Sequence, residues 1–486
     1  MGRAAGTGWL LSTLIDPPTH LIPLSQTCGE VAYHTLHSCP WVRYVGFVYH
    51  VSRELASFCN SIVPLLVLVR LEVAYTMETA ISACNGSLTV AEPTFTETPE
   101  LVRIPASRLD PRSDEDIIST LLQFQPVTSE RNLWTFWDTG FWGMRPYVRR
   151  NVIGWVRRLG PSWTVRVLDN VEGSLLNVNA FIESHEFPGA FIGGKMTGPY
   201  AGVHCADIIR LPLIYHYGGI WMDAGTTLFR HVDDICWKAL EDPTTPYEIA
   251  GFAPGTEPGN DVILNGFIAA KKGNGFIRRW HDVFLEIWKG RVDCIGLQHH
   301  PLLRQVKKVQ VPLDIQTKFG VDNSLMNDYV AHVLSFKRIR MLQDPTDGFN
   351  GPEYWGKQAL VLPVQETFLA QIMCGFDGQR QYDLFSMPRE GAESSEDGVS
   401  AEKLVHALLS SASTMKLSHG LKNNKLVHLS KLWDLPENAD ADIMPGTYAA
   451  YLRWGSVHLE QTRVLEPLPI QCNGPVLKAG VLQVVE

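Results

Sequence analysis

Three charged residues lie within one short stretch of this chain, at a spacing that can bring them to a common site. Asp207 and Arg210 are three residues apart, so a helix places both side chains on one face. A glycine pair at 218–219 ends that helix, and Asp223 directly follows the apolar segment 220–222, which we predict to be a buried strand. Open α/β sheets bind ligands at the carboxyl ends of their strands, so we predict that these side chains share a ligand-binding crevice.

Each of these residues can bind a ligand, but each also has a simpler interpretation. A carboxylate accepts hydrogen bonds from hydroxyl groups, and an arginine presents a rigid donor fork to a phosphate or a carboxylate. The simpler alternative for Asp207 and Arg210 is an ion pair on a helix surface, which would contribute about 0.2–0.5 kcal/mol. For Asp223 the alternative is a solvated turn residue ahead of Gly225, or a cap.

The stretch resembles the capsular polysaccharide synthesis glycosyltransferases, which are related to the initiation-specific mannosyltransferases and to the glucosylating domain of large clostridial toxins. Their shared pattern is Ser-Asp-x-x-Arg, followed by Tyr-Gly-Gly-x-(Tyr/Trp)-x-Asp. This chain has Ala-Asp-Ile-Ile-Arg at 206–210 and Tyr-Gly-Gly-Ile-Trp-Met-Asp at 217–223. Weaker similarity extends to residues 133–137 and 416–419, so that the resemblance covers about residues 130–430.

The resemblance implies a fold and an activity. The fold would be α/β of the GT-A type, a Rossmann-like nucleotide-sugar-binding sheet with helices on both faces. The activity would be transfer of a hexose, with retention, from a UDP- or GDP-linked donor to a glycan, a lipid or a small natural product. Two alternatives remain: a non-catalytic descendant that binds a nucleotide sugar or a glycan, and an interaction protein whose N-terminal region carries the function.

The resemblance also implies roles for the charged residues of the central motif. Asp207 and Arg210 correspond to contacts with the donor sugar and the ribose. Asp223 corresponds to the carboxylate that holds Mn²⁺ or Mg²⁺ against the diphosphate, because hard cations prefer oxygen ligands. Asp223 and Asp207 are therefore the predicted catalytic residues. If both contact ligand rather than the core, replacing either with alanine abolishes transfer and leaves the fold intact.

Further site residues are predicted outside the central motif. An aromatic residue of the first strand stacks on the base in such enzymes; Trp134 and Trp137 face opposite sides of a strand, and Trp134 is the predicted one. Lys416 is predicted to neutralise the donor phosphate, and His419 to bind the metal or a phosphate. Asn265 is predicted to lie at a strand end and to face the acceptor.

One position departs from the pattern of many relatives. They carry a second carboxylate two residues after the first, giving Asp-x-Asp, whereas this chain has Gly225. The strongest expected metal ligand is therefore missing. We predict that Mn²⁺ or Mg²⁺ binds weakly to the free protein, and more tightly once a nucleotide diphosphate supplies further oxygens.

Composition and charge limit the possible functions and the compartment. The chain has 486 residues and a formal net charge of −9, which argues against a general nucleic-acid-binding protein. Nine cysteines, an odd number without metal-ligand spacing, are predicted to be free thiols in a reducing compartment. No signal peptide is recognisable, and the apolar stretch 62–71 is shorter than the ~20 residues that span a bilayer. The protein is therefore predicted to be cytoplasmic or peripheral to a membrane, with surface attachment through residues 62–71 as one option.

The chain is predicted to have three regions. Residues 1–106 form a poorly defined N-terminal extension that is dispensable for donor binding, residues 107–435 form a GT-A-like domain, and residues 436–486 form a C-terminal extension. Strand–helix–strand order over 132–168 predicts the start of a parallel sheet, and residues 262–271 a further strand. The glycine-rich segment 189–202 is predicted to be a mobile loop. The polar, acidic segment 386–403 is predicted to be a flexible surface loop.

Overall fold

A computed structural model of the chain describes residues 92–198, 200–255, 261–311, 313–421, 425–470 and 474–486. The chain divides into two units, Met1–Val90 and Ala91–Glu486, and the described residues all belong to the second. The predicted membrane-surface segment at 62–71 lies outside the described residues.

The described residues alternate between short strands and helices, numbered here in chain order. The strands are β1 (Leu101–Arg103), β2 (Asn132–Phe136), β3 (Thr164–Leu168), β4 (Gly219–Met222), β5 (Thr226–Leu228), β6 (Ile249–Ala253), β7 (Phe267–Ala270), β8 (Leu342–Gln343), β9 (Ala359–Pro363), β10 (Thr414–Lys416), β11 (Leu459–Gln461) and β12 (Leu477–Lys478). The helices are α1 (Asp114–Leu121), α2 (Pro146–Leu159), α3 (Gly189–Ile192), α4 (Ala201–Tyr217), α5 (Lys238–Glu241), α6 (Gly275–Trp288), α7 (Leu313–Phe319), α8 (Asn323–Tyr329), α9 (Ala331–Met341), α10 (Gly351–Gln358), α11 (Gln365–Met373), α12 (Gly378–Ser386), α13 (Glu396–Ser411), α14 (Leu429–Trp433) and α15 (Tyr448–His458).

A six-stranded sheet in the order β3-β2-β4-β7-β6-β9 forms the centre of the domain. β2 pairs in parallel with both β3 and β4, and β6 pairs in parallel with β9. β7 is antiparallel to both of its neighbours, β4 and β6. The predicted parallel start of the sheet is confirmed, and β7 makes the sheet mixed.

Helices cover both faces of this sheet, as predicted. Leu133 of β2 faces a core that includes Trp155 of α2. The next residue, Trp134, points to the opposite face and joins a second core with Ile209 of α4 and Trp280 of α6. A sheet buried on both faces needs strands that are apolar throughout, which explains the short apolar runs in the sequence. The α/β fold class is therefore confirmed.

Both ends of the described chain pack into the same domain, which corrects the predicted boundaries. β1 pairs antiparallel with β11, and Leu101 and Ile104 are 2% and 5% exposed. β12 pairs in parallel with β8. The proposed divisions at residues 106/107 and 435/436 are misplaced, because the segments on either side of each belong to one compact unit.

Two segments predicted to be loops contain helices. The glycine-rich segment 189–202 holds α3 and the first residues of α4. The acidic segment 386–403 holds the first half of α13, where the Ser395 hydroxyl accepts a hydrogen bond from the Gly398 amide at 3.0 Å. Glu396 and Asp397 occupy the first turn, where negative charge interacts favourably with the helix dipole. The acidic composition marks a helix start there.

Two further observations concern the described helices and cysteines. None of the described helices combines the length and the apolar character that crossing a bilayer requires. The described cysteines Cys205, Cys236, Cys294 and Cys374 are free thiols, as predicted for these positions.

Candidate active site

Helix α4 and strand β4 together determine where the charged residues meet. The chain reverses between them, so residues early in α4 lie beside the end of β4. The helix rises about 15 Å from Asp207 to Tyr217, and the strand advances about 13 Å from Gly219 to Asp223. The turn before the antiparallel strand β7 also reaches this point, because the Asp223 amide donates to the Gly266 carbonyl at 2.9 Å.

Asp207 is enclosed by protein groups. It is 1% exposed, and its Oδ1 lies 2.8 Å from both Asn265 Nδ2 and Arg210 Nη2. Its Oδ2 lies 3.0 Å from His204 Nδ1. Burial alone would raise the pKa of Asp207, but the charge of Arg210 and the hydrogen bond to His204 outweigh it and lower the pKa to about 2. Asp207 is therefore a buried residue in this structure, and its contact with a donor stays a prediction.

Arg210 links the helix to the turn before β7. Its Nη1 donates to the Asn265 carbonyl, and its Nη2 lies 3.6 Å from Asp223 Oδ1. The guanidinium carbon stacks 4.9 Å from the ring centroid of Trp221. Arg210 is 2% exposed, so its charge acts on the site from inside the protein.

Asp223 is the carboxylate that reaches the surface, with 26% of its side chain exposed. Oδ1 accepts a hydrogen bond from Trp221 Nε1 at 2.8 Å, and Oδ2 lies 2.8 Å from Lys416 Nζ. Burial would raise the pKa of Asp223, but the charges of Lys416 and Arg210 outweigh it and lower the pKa. Asp223 is therefore a charged group, held in orientation at the carboxyl edge of β4.

Lys416 reaches the site from a distant part of the sequence. β10 pairs antiparallel with β5, which puts Lys416 opposite Thr226, three residues after Asp223. Gln371 Nε2 donates to the Lys416 carbonyl at 2.7 Å and fixes the backbone. The structure thus brings Lys416 and Asp223 together, although its contact with a donor phosphate remains a prediction.

Asn265 lies in the turn before β7, where sequence reasoning expected a strand over 262–271. The strand begins only at Phe267, because residues 265–266 turn to reach the end of β4. The Asn265 side chain is committed to Asp207 and its carbonyl to Arg210. Asn265 is thus next to the charged cluster, and its role toward an acceptor remains a prediction.

The structure places Trp134 in the core, which does not agree with its predicted role. The side chain is 0% exposed, and its Nε1 donates to the Gly218 carbonyl at 3.0 Å. Phe181 and Tyr217 pack against the ring. A base cannot stack on a ring enclosed in this way. Trp137, which directly follows β2, is half-buried and lies at the carboxyl edge of the sheet.

Known proteins similar to this chain identify the family. A sequence profile described as capsular polysaccharide synthesis protein matches residues 105–316. The chain is 47% identical to the O-glycosyltransferase braB of Annulohypoxylon truncatum over 398 residues. The aligned region covers 79% of this chain and 93% of that protein. This chain belongs to the capsular polysaccharide synthesis family of glycosyltransferases.

Two further relatives agree with this assignment. The glycosyltransferase afumC of Aspergillus fumigatus is 43% identical over 383 residues, 77% of this chain and 97% of that protein. The O-glycosyltransferase PaGT of Phomopsis amygdali is 37% identical over 374 residues, 76% of this chain and 91% of that protein. The present chain is thus a glycosyltransferase, and its charged cluster is the candidate active site.

The surroundings of Asp223 do not fit a divalent cation bound by two carboxylates. A Cβ atom at Gly225 would lie 2.7 Å from the Leu417 carbonyl oxygen, so no side chain fits where relatives carry the second carboxylate. The Leu417 amide donates to the Gly225 carbonyl at 2.8 Å, which holds the two backbones together. Within the part of the chain that the structure describes, no group of three His, Cys, Asp or Glu side chains has the geometry of a metal site.

His419, the predicted additional metal ligand, has another partner. Its Nε2 lies 2.8 Å from Asp434 Oδ2, and Asp434 Oδ1 lies 3.6 Å from Arg145 Nε. The Nε2 atom of His419 is therefore already engaged with Asp434. The structure gives His419 no contact with Asp223.

Sequence reasoning missed two residues of this glycosyltransferase site. Burial lowers the pKa of His204, but the hydrogen bond to Asp207 and the charge of that carboxylate outweigh it and raise the pKa to about 9. Tyr329 of α8 has a pKa raised by burial and by the charges of Asp207 and Asp223. His204 stands three residues before Asp207, a spacing that could have revealed it. Nothing in the sequence signals Tyr329.

A cavity of about 560 Å³ lies at the opposite edge of the sheet, at the amino ends of β6 and β9. Among its polar groups is the half-buried Glu248, which accepts hydrogen bonds from Tyr354 Oη at 3.1 Å and Gln358 Nε2 at 3.0 Å. These contacts satisfy the carboxylate within the protein. The cavity lies at the edge of the sheet opposite Asp223, and the ion pair in its lining, between Lys357 and Glu353, is more than half exposed.

Proposed function

We propose that this glycosyltransferase moves a hexose from UDP- or GDP-hexose to a hydroxyl oxygen of a glycan, a lipid or a small natural product. The observation that carries the proposal is the pair formed by Asp223 and Lys416. Both side chains are about a quarter exposed, and they meet at the carboxyl edge of β4, the edge at which open α/β sheets bind ligands. The relatives braB and PaGT are named O-glycosyltransferases, which supports an oxygen acceptor.

The proposed donor lies along this edge in the manner of a GT-A enzyme. The Lys416 ammonium faces the diphosphate, and the Asp223 carboxylate accepts hydrogen bonds from the donor sugar. Asp207 and Arg210 are both buried, so they act as positioning residues that hold Asp223 in place and do not touch the donor. Trp137 is the better candidate for stacking on the base, since it is half-buried at the strand end.

The proposed reaction breaks the bond between C1 of the hexose and the diphosphate oxygen. The electron pair of that bond leaves on the diphosphate, where Lys416 stabilises the growing negative charge. The acceptor oxygen bonds to C1, and its proton passes to the departing diphosphate oxygen. Asp207 is enclosed and Asp223 is held by Lys416, so neither predicted catalytic carboxylate is free to form a covalent sugar intermediate. If the reaction retains the anomeric configuration, as the family resemblance implies, the acceptor therefore attacks C1 from the same face that the diphosphate leaves.

A donor panel with a simple hydroxyl acceptor tests the proposed function. We expect one UDP- or GDP-hexose to yield both free nucleotide diphosphate and a product heavier by one hexose, detected by mass spectrometry. The anomeric proton of the product, observed by NMR, reports retention. Asp223→Asn should lower product formation by about 100-fold or more. Asp440→Asn is the matched control, because that side chain is 70% exposed and pairs at the surface with Arg150. If the wild-type protein releases no nucleotide from any donor, the proposal is wrong.

A further inference from the structure

We propose that the Lys416 ammonium replaces the divalent cation at the donor diphosphate, so that donor binding by this enzyme requires no metal ion. The inference rests on the proposed nucleotide-sugar donor. A departing diphosphate needs positive charge beside it, and the family resemblance assigns that charge to Mn²⁺ or Mg²⁺. In this chain a side chain of the protein already supplies it.

The position of Lys416 is the first argument. Its Nζ lies 2.8 Å from Asp223 Oδ2, where a metal bound to that carboxylate would compete for the same oxygen. The other oxygen, Oδ1, accepts the indole hydrogen bond of Trp221 at 2.8 Å. A divalent ion would have to displace the ammonium, and the two positive charges would repel each other while both stayed near Asp223.

The surrounding backbone is shaped to hold the lysine in place. A Cβ atom at Gly266 would lie 2.4 Å from Lys416 Nζ, so the ammonium occupies the space that any larger residue would fill. The β5–β10 pairing and the Gln371 hydrogen bond fix the backbone of Lys416. The same pairing brings the Leu417 carbonyl against Gly225 and excludes a second carboxylate. One structural arrangement therefore supplies a cation and removes the metal ligand.

The charges of the cluster identify which cation can reach a diphosphate. Arg210 is 2% exposed and committed to Asp207 and the Asn265 carbonyl. The Lys416 side chain is 22% exposed, so it can keep its contact with Asp223 and turn its remaining donors to a bound phosphate. Of these two cations, Lys416 is the one that a ligand at the surface can contact.

Calorimetric titration of UDP and GDP into the full chain, once in EDTA and once in Mn²⁺, tests the inference. We expect wild-type affinity for the nucleotide that binds to differ by less than about threefold between the two buffers, because Lys416 supplies the charge in both. Lys416→Ala should weaken binding in EDTA by about tenfold or more, since a charge-assisted contact is lost. Mn²⁺ should recover part of that loss, because Asp223 is then free.

Controls separate this inference from the proposed function. Lys289→Ala removes a surface ammonium with 75% of its side chain exposed and should bind the nucleotide like the wild type. Circular dichroism establishes that each variant is folded, and the wild-type comparison of the two buffers needs no variant. Wild-type binding that appears only with Mn²⁺ would overturn the inference and leave the donor class standing. Unchanged affinity of folded Lys416→Ala in EDTA would also overturn it. If neither UDP nor GDP binds the wild type in either buffer, the proposed donor is wrong and the inference fails with it.

Discussion

Asp207 and Asp223 carry the same charge but lie in different environments. Asp207 is 1% exposed and neutralises Arg210 and His204, whereas the Asp223 side chain is 26% exposed at the edge of the site. Removing a buried counter-charge leaves the remaining charges without compensation, which is far more costly than removing an exposed one. The two residues should therefore respond differently to the same substitution.

We predict that Asp207→Ala lowers the free energy of unfolding by about 3 kcal/mol or more. Asp223→Ala should change the free energy of unfolding by about 1 kcal/mol or less, because solvent reaches this position and can hydrate the Lys416 ammonium that loses its partner. Both variants should lose transfer activity, the first through misplacement of Arg210. Urea unfolding of the two variants beside the wild type checks this. Equal stability of the two variants would contradict the positioning role of Asp207.

The pKa of His204 gives a pH-dependent prediction. The pKa is raised from an ordinary 6.5 to about 9, so the stabilisation that His204 contributes is fully present below pH 6.5 and lost as pH rises through 9. We expect wild-type protein to exceed His204→Gln in unfolding free energy by about 1–3 kcal/mol at pH 6.5, and by less above pH 9. Urea titrations at several pH values measure the difference. A difference that does not vary with pH would contradict a charged His204.

Residue spacing predicted much of the charged cluster and failed for the aromatic residues. Asp207 and Arg210 form the ion pair that was the simpler alternative, but it is buried instead of lying on a helix surface. The structure also brings Asp223 into contact with Lys416, which the family resemblance indicated. For Trp134, strand alternation shows only that it and Trp137 face opposite sides. Alternation cannot decide which side of the strand is buried near the site, because the residues that cover it lie far away in the sequence. The burial of Asp207 likewise depends on Asn265, from another part of the chain.

At the scale of elements, the pairing of β5 with β10 decides the chemistry of the site. It brings Lys416 to Asp223 and leaves no room for a side chain at Gly225. Neither consequence can be read from the segment around Asp223, because the partner strand lies in a distant part of the sequence. The local pattern did predict the strand–helix–strand order over 132–168 that starts the parallel sheet. It failed at segment 386–403, where the acidic start of a helix has the composition of a loop.

We predict that Gly225→Ala destabilises the protein by about 1–3 kcal/mol, because the added Cβ would crowd a backbone carbonyl that cannot move without disturbing the strand pair. The matched control is Gly189→Ala, where no heavy atom lies within 4 Å of the added Cβ. Thermal midpoints of both variants check the prediction. Equal midpoints would show that β10 does not press against residue 225 as described.

At the scale of the whole molecule, the domain begins before the point expected from sequence similarity. Leu101 and Ile104 are buried, and β1 completes a strand pair with β11 near the other end of the chain. The family resemblance began only near residue 130, and three-residue strands carry too little periodicity to reveal such pairing.

A protein that begins at residue 107 should therefore be less stable than one that begins at residue 92. Loss of two buried side chains and a strand pair should lower the free energy of unfolding by about 3 kcal/mol or more. Thermal unfolding of the two truncated proteins, with nucleotide affinity as a second readout, compares them directly. Equal stability would restore the boundary predicted from the sequence.

A crystal structure of the protein with UDP or GDP bound tests most directly whether the carboxyl edge of β4 is the donor site. We predict diphosphate oxygens within hydrogen-bonding distance of Lys416 Nζ, beside an Asp223 that keeps its contact with Trp221. A nucleotide bound instead in the cavity beside Glu248, at the opposite edge of the sheet, would contradict this account of the site.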